Sequence, residues 1–119
     1  MRTLLLLGQG NWAATMLENT AACTELPAGV HALKSAAEIS RYPGEIVLLG
    51  DAYESPAYLA GVEKLNGQPA LCIAGVNQAL ILAACAFLNS LDTLEELQNT
   101  LLAEGAAGVK AFVNASERN

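Results

Sequence analysis

The sequence is poor in positive charge. Lys and Arg number 6 against 12 Asp and Glu, which gives a formal net charge of −6 at neutral pH. A surface that binds nucleic acid needs a basic stripe, and so does a surface that binds anionic lipids. We therefore expect no nucleic-acid partner.

Long hydrophobic runs are also missing. The apolar stretches are well short of the length that spans a bilayer. The first of them, Thr3 to Leu7, is stopped by Gly8 and Gln9, so it is too short for the apolar part of a signal peptide. We expect a cytoplasmic protein that is not inserted directly into a membrane.

Residues that bind metals or form disulfides are few. His31 is the only histidine, and the 3 cysteines, Cys23, Cys72 and Cys85, lack C-x-x-C spacing. Cys72 and Cys85 lie within apolar runs, where a free cysteine behaves as a small hydrophobic side chain. One histidine and scattered cysteines do not suggest a zinc site, and we expect neither a metal nor another cofactor.

Apolar residues, by contrast, make up 53% of the chain, and charged residues only 15%. A chain of 119 residues can bury a hydrophobic core without metals or disulfides, and it is too short for two ordinary domains. No internal repeat or linker interrupts it. We expect one domain over residues 1–119, with a frayed tail at residues 116–119.

Short apolar runs that end in a glycine and a polar residue recur along the chain. Continuous runs of this kind indicate strands that are buried on both faces. Three are clear and the fourth is weaker: Thr3 to Leu7, Ile46 to Leu49, Ala70 to Ala74, and Gly29 to Leu33.

Helical patterns lie between these strands. Four begin at residues that favour a helix start: Asn11, Ser55 (followed by Pro56), Asn77, and Thr93 with Glu96 in a capping box. A short helix is also expected over Ser35 to Arg41. The last stripe of apolar residues runs on through Val109, Phe112 and Val113, with Gly105 and Gly108 as the places where it can bend or be interrupted. Alternating strands and helices predict a small α/β domain. We expect a doubly wound, flavodoxin-like parallel sheet of about four strands with helices on both faces.

Polar side chains follow the strands where such a sheet binds ligands, outside the carboxyl ends of its strands. They are Gln9, Asn11, Asp51, Ser55 and Asn77. Helix N-termini also begin there and favour anions, so a phosphate-sized site is expected. Asn11, Ser55 and Asn77 are each better explained, taken singly, as plain helix caps, whereas a glutamine between two glycines is neither an obvious cap nor a core residue.

The turn over Gly8 to Ala13 also matches the dinucleotide fingerprint G-x-G-x-x-[GA] after a strand. The acidic residue that this fingerprint wants at the end of the second strand is missing, because residues 31–34 read His-Ala-Leu-Lys. Because the turn still matches the fingerprint, a small phosphate- or nucleotide-ligand sensor that uses this turn is the alternative function.

Four segments, in order, resemble the enzyme IIA domain of the mannose-family sugar phosphotransferase system over nearly the whole chain. The family has Gly-His-Gly-x-[aromatic or Leu]-Ala after its first strand, Asp and then Gly-Gly-[Thr/Ser]-Pro after its third, Gly-x-Asn after its fourth, and Gly-x-x-Gly-Val-Lys in its last helix. The corresponding segments here are Gly8 to Ala13, Asp51 to Pro56, Gly75 to Asn77, and Gly105 to Lys110.

This resemblance implies a cytoplasmic, homodimeric phosphocarrier. Family members accept a phosphoryl group from the carrier protein HPr on a histidine and pass it to a IIB domain, which phosphorylates a sugar during uptake. A neighbouring Asp, matched here by Asp51, orients and stabilises the imidazole.

The chain departs from the family at the nucleophile, because Gln9 stands where the family has its phospho-accepting histidine. A carboxamide nitrogen is not a nucleophile at neutral pH, since its lone pair is delocalised into the carbonyl group. The loop after Asp51 also lacks the paired glycines and carries Glu54, whose charge opposes an incoming phosphate.

We therefore expect a component of sugar uptake or of its regulation that does not carry phosphoryl in the usual way. Gln9 and Asp51 occupy the catalytic positions, and the expected ligand- or phosphate-binding residues are Gly10, Asn11, Ser55 and Asn77. Expected partners are HPr-like proteins, IIB-like proteins or a true IIA subunit. Phosphorylation of Asp51 itself, as an acyl phosphate, remains a further alternative.

Overall fold

Strands and helices alternate along the chain in a computed structural model, which describes residues 2–114. In chain order they are β1 (Thr3–Leu7), α1 (Trp12–Cys23), β2 (Val30–Ala32), a 3-10 helix (Ala36–Arg41), β3 (Ile46–Gly50), α2 (Pro56–Lys64), β4 (Ala70–Ile73), α3 (Gln78–Phe87) and α4 (Leu94–Ala107). All four predicted strands are confirmed, and the short helix predicted from Ser35 to Arg41 is a 3-10 helix.

The four strands form one parallel sheet in the order β2-β1-β3-β4. At the centre of the sheet, Leu6 of β1 lies opposite Ala32 of β2 on one side and Leu49 of β3 on the other. The chain moves outward from β1 to β2 and then returns to the other side of β1. The switch point of the topology therefore lies between β1 and β3, as in flavodoxin-like domains, and the predicted fold class is confirmed.

Each face of the sheet packs against its own layer of helices. Leu4 and Leu6 of β1 belong to a core that includes residues of α1, α3 and α4. Leu5 and Leu7 point to the other side, into a core with the 3-10 helix and α2. All four leucines are fully buried, and each such burial stabilises the fold by about 2 kcal/mol. This two-sided burial explains why the strand is continuously apolar.

Most of the predicted helix starts are confirmed, and one is wrong in its mechanism. The side chains of Ser55, Asn77 and Thr93 each accept a backbone N–H of the helix that they begin, and Thr93 completes the capping box with Glu96. Asn11 stands at the start of α1, but its side chain makes no cap hydrogen bond.

The apolar stripe predicted to continue through residues 109–113 does not form a helix. Helix α4 ends at Ala107, and Val109, Phe112 and Val113 are 71%, 87% and 83% exposed. Gly108 follows the helix and approaches α3 so closely that an added Cβ would lie 2.3 Å from the Cβ of Ala79. The tail predicted to fray, residues 116–119, lies outside the described residues.

Among the helices of residues 2–114, none is long and apolar enough to cross a membrane.

Candidate functional site

The turns after β1 and β3 are joined by one side chain. Gln9 follows β1 and Asp51 follows β3, so both lie at the switch point of the sheet. The backbone N–H of Gln9 donates to Oδ2 of Asp51 at 2.9 Å. The other carboxylate oxygen, Oδ1, accepts the N–H of Ala52 at 2.9 Å. The carboxylate thus fixes the two turns relative to each other.

Glycines on either side of Gln9 make this approach possible. Gly8 is buried, and a Cβ there would lie 2.8 Å from Cγ of Asp51 and 2.7 Å from the ring of Trp12. Gly10 has a φ of +56°, a conformation that side chains with a Cβ rarely adopt. Gly10 therefore turns the chain into α1 and presents its backbone to solvent.

The side chain of Gln9 reaches across to the start of α2. Its carbonyl oxygen, Oε1, accepts the backbone N–H of Ala57 at 3.0 Å and lies 3.4 Å from the hydroxyl oxygen of Ser55, which can donate to it. Gln9 is itself exposed, whereas Ser55 is buried. The glutamine that lacked a structural explanation in the sequence is therefore a hydrogen-bonding partner of both Asp51 and α2.

The carboxyl group of Asp51 is tuned by its surroundings. Burial raises its pKa, but hydrogen bonds from the N–H of Gln9, the hydroxyl of Ser55 and the N–H of Ala52 lower it by more, so the pKa lies below the ordinary value of 3.8. The Ser55 hydroxyl also lies 3.4 Å from Oε1 of Gln9. Asp51 is thus a fixed negative charge at neutral pH.

The structure gives Asn77 different partners. Its Oδ1 accepts the N–H of Leu80 at 2.9 Å, and its Nδ2 donates to the carbonyl oxygen of Gly105 at 2.8 Å. The side chain therefore caps α3 and ties it to α4, and it forms no hydrogen bond with Gln9 or Asp51 in the described structure. Asn11 lies exposed at the start of α1 without a cap bond.

Of the residues predicted for the site, Gln9, Asp51 and Ser55 are brought into one hydrogen-bonded group. The backbone N–H of Ala57 completes this group and was missed, because a main-chain donor leaves no signature in a pattern of side chains. Tyr53, which is 70% exposed, and the exposed Glu54 lie in the loop between Asp51 and α2.

The histidine and the cysteines are the other side chains with reactive groups. His31 is half-buried in β2 and its ring stacks on Tyr42 with centroids 4.8 Å apart, as expected of a packed histidine. All three cysteines are free, and burial raises the pKa of the Cys72 and Cys85 thiols, which disfavours the reactive thiolate. Over residues 2–114, no group of three or more His, Cys, Asp or Glu is placed to hold a metal ion.

Comparison with known proteins finds similarity in structure only. No protein-family model matches the chain, and no curated protein matches it. The fold matches an EIIA component of the phosphotransferase system from Streptococcus agalactiae with a TM-score of 0.82 at 12% identity, covering 93% of this chain and 97% of that one.

Two further solved structures match nearly as well. A mannose/sorbose-specific IIA subunit of the phosphotransferase system from Enterococcus faecalis has a TM-score of 0.74 at 18% identity, covering 98% of each chain. A provisionally assigned permease of the phosphoenolpyruvate-dependent sugar phosphotransferase system from Klebsiella pneumoniae has a TM-score of 0.80 at 16% identity, covering 92% of this chain and 90% of that one. At these identities the likeness concerns the fold. For the fold, the resemblance to phosphotransferase IIA proteins predicted from the sequence is confirmed.

Proposed function

We propose that this chain is an enzyme IIA-like component of the sugar phosphotransferase system, of the mannose family, with a role in sugar uptake or its regulation. It binds HPr-like and IIB-like proteins, or a true IIA subunit, in the cytoplasm and does not itself carry phosphoryl. The observation that carries this proposal is the placement of Gln9. In a fold shared with phosphotransferase EIIA structures, it stands at the carboxyl end of β1 and is hydrogen-bonded to Asp51.

The chemistry of the candidate site supports a role in binding. The nitrogen of the Gln9 carboxamide has no available lone pair, and its oxygen already accepts the N–H of Ala57. Asp51 is the other acceptor to consider, as an acyl phosphate. Both of its oxygens accept backbone N–H groups, which stabilises the carboxylate as a hydrogen-bond acceptor and lowers its nucleophilicity.

We further propose that the chain is a single domain that forms a homodimer through the segment that follows α4. Val109, Phe112 and Val113 of this segment are among the most exposed large apolar residues. Within residues 2–114, β4 is paired only with β3, so no described strand is paired with its outer edge. A second copy that covers these side chains would remove their exposed apolar surface from water.

The experiment that tests the proposed function is phosphorylation in a reconstituted system. The purified chain is incubated with phosphoenolpyruvate, enzyme I and HPr, and its intact mass is measured beside a histidine-bearing IIA protein. We expect the control to gain one phosphoryl group and this chain to gain none, while the chain still binds HPr or a IIB protein. A phosphorylated chain, whether modified at Asp51 or at His31, would refute the proposal.

A histidine variant tests directly whether the missing nucleophile explains the absence of phosphorylation. Gln9→His supplies a ring nitrogen at the position where the family resemblance places the phospho-acceptor, next to Asp51. We expect it to gain a phosphoryl group from HPr, whereas Gln9→Asn, which alters the side chain without adding a nucleophile, gains none. If Gln9→His is labelled no more than Gln9→Asn, the loss of the histidine does not explain the inactivity.

The alternative function, a small phosphate or nucleotide sensor that uses the Gly8–Ala13 turn, is favoured by one observation. The side chain of Asn11 leaves the N-terminus of α1 without a cap, and such a terminus attracts anions. A phosphate or nucleotide titration followed by amide chemical shifts distinguishes the two, because a sensor would show saturable shifts in residues 8–13.

A further inference from the structure

We propose that Gln9 acts as a built-in stopper of its own site: its neutral carboxamide oxygen occupies the N-terminus of α2, so the site stays in one unphosphorylated state that phosphate or a phosphoryl donor does not change. The meaning of this state for a partner rests on the proposed function. A protein that binds at this site would contact the same unphosphorylated surface whether or not phosphoenolpyruvate is present to supply phosphoryl groups.

The first observation is that α2 has no free N–H group in its first turn. An α-helix ordinarily leaves these groups without intrahelical partners, which is why anions bind there. In α2 the first residue is Pro56, which has no N–H. The N–H of Ala57 donates to Oε1 of Gln9 at 3.0 Å, and the N–H of Tyr58 donates to the hydroxyl oxygen of Ser55 at 3.4 Å. The next donor, the N–H of Leu59, is bonded to the carbonyl oxygen of Ser55 at 3.0 Å.

The second observation is that the stopper and an oxyanion would compete for the same donors. Oε1 of Gln9 uses the N–H of Ala57 and approaches the hydroxyl of Ser55. A phosphate oxygen at this terminus would need those two groups, so it enters only when the carboxamide leaves. The sequence predicts phosphate binding at Ser55 and at the start of α2, whereas in the structure the hydrogen-bonding groups of both are satisfied from within the chain.

Charge favours the carboxamide over an anion at this position. Asp51 is hydrogen-bonded to the backbone of Gln9, and Glu54 lies in the loop that leads to α2. An incoming phosphate would be repelled by both carboxylates. The neutral carboxamide oxygen makes the same hydrogen bonds without that repulsion.

Hydrogen bonds hold both the backbone and the side chain of Gln9 in place. The backbone of Gln9 is bonded to Asp51, and its side chain is bonded to Ala57. Gly8, immediately before it, is buried against Asp51 and Trp12. Gln9 therefore cannot leave α2 through a movement of the whole turn without also breaking the contacts at Gly8.

A titration with inorganic phosphate, followed by the backbone amide signals of the ¹⁵N-labelled protein, tests this proposal. In the natural protein we expect no saturable shift at Ala57. In Gln9→Ala, we expect the Ala57 amide to exchange with solvent about tenfold faster because it has lost its acceptor, and to shift saturably with phosphate. Gln9 is exposed, so this truncation leaves the core intact, and Gln9→Ser should behave in the same way.

The matched control is Gln98→Ala, which removes the same carboxamide from an exposed position on α4 and should leave the Ala57 signal as in the natural protein. Saturable phosphate shifts at Ala57 with Gln9 present would overturn the proposal. The proposal would also be overturned if, in Gln9→Ala and in Gln9→Ser alike, the Ala57 amide exchanged no faster than in the natural protein and did not shift with phosphate.

This test is separate from the proposed function because it contains no phosphotransferase protein. If phosphate is excluded until Gln9 is truncated but no HPr-like or IIB-like protein binds, the stopper stands and the proposed function falls. If such a protein binds while phosphate enters at Ala57 of the natural protein, the proposed function stands and the stopper falls.

Discussion

The backbone N–H of Gln9 and the carboxylate of Asp51 form a hydrogen bond of 2.9 Å that joins the ends of β1 and β3. These two strands are neighbours at the centre of the sheet, so the bond closes the gap at which the topology switches direction. It gives Asp51 a structural task that is independent of any phosphoryl chemistry.

We predict that this bond makes the free energy of unfolding depend on pH in the acidic range. The pKa of Asp51 is lowered in the folded state, so its contribution is fully present above the ordinary carboxyl value and is lost as the pH falls through the folded-state value. Asp51→Asn should cost about 1–2 kcal/mol at neutral pH. Urea unfolding of both proteins should show this difference shrinking below the ordinary pKa of 3.8. A difference that stays constant into strong acid would contradict the prediction.

Arg2 offers a second test, at the opposite end of the sheet. It is 5% exposed, and its guanidinium group donates to Glu45 at 2.9 Å and to the carbonyl oxygens of Leu88 and Leu91 at 2.8 and 2.7 Å. An ammonium group cannot reproduce this fork of donors. Arg2→Lys should therefore reduce the free energy of unfolding by about 2 kcal/mol or more, as measured by urea denaturation.

The control for this change is Arg41→Lys. Arg41 is exposed and lies 3.9 Å from Glu38 in a surface pair, and such pairs contribute little. Its substitution should change the stability by less than about 0.5 kcal/mol. Equal effects of the two substitutions would show that the buried contacts of Arg2 do not hold the loop between α3 and α4.

Two asparagines at helix starts should differ in their effect on stability. Asn77→Ala removes a cap from Leu80 and the bond to Gly105, and we predict a loss of about 1–2 kcal/mol. Asn11→Ala removes no cap bond and should cost less than about 0.5 kcal/mol. Thermal unfolding of the two variants side by side provides the measurement, and similar losses would contradict the assignment.

The same pair shows what the sequence could and could not predict. Both asparagines follow strands and precede helices, so the pattern predicts two caps. A cap needs extended backbone, which Asn77 has with φ −114° and ψ 174° and Asn11 lacks with φ −99° and ψ 19°. The dihedral angles depend on how each loop leaves the sheet, which no local pattern encodes.

The strands, and the meeting of Gln9 and Asp51 at one edge of the sheet, were predictable for a physical reason. A strand covered on both faces must be apolar throughout, so β1 and β3 stand out in the sequence, and the ends of parallel strands meet at one edge. The closure of α2 by Gln9 was not predictable, because the donor is the main chain of Ala57. The apolar stripe predicted to continue through residues 109–113 leaves the helix at Gly108, one of the two glycines at which an interruption was expected. The spacing of apolar residues does not show which surface will cover them.

Gly8 is the position at which a single methyl group should disturb the candidate site. A Cβ at this position would meet both Asp51 and Trp12 at less than 3 Å, so Gly8→Ala must displace one of them. We predict a loss of about 1–3 kcal/mol in unfolding free energy, together with changes in the amide signals of Gln9 and Ala52. A variant with unaltered stability and unaltered signals would show that the strand ends are loosely packed.

The exposed segment after α4 leads to the last prediction, which concerns the proposed homodimer. Phe112 and Val113 are 87% and 83% exposed, so they contribute little to the fold of one chain and much to a contact that covers them. Phe112→Ser and Val113→Ser together should shift the protein from dimer to monomer in sedimentation equilibrium while leaving its circular dichroism unchanged. Tyr53→Ser, at a comparably exposed aromatic residue near the candidate site, is the control and should leave the association intact. A chain that is monomeric before any substitution, or a dimer that survives the double substitution, would show that these apolar side chains do not form a dimer interface.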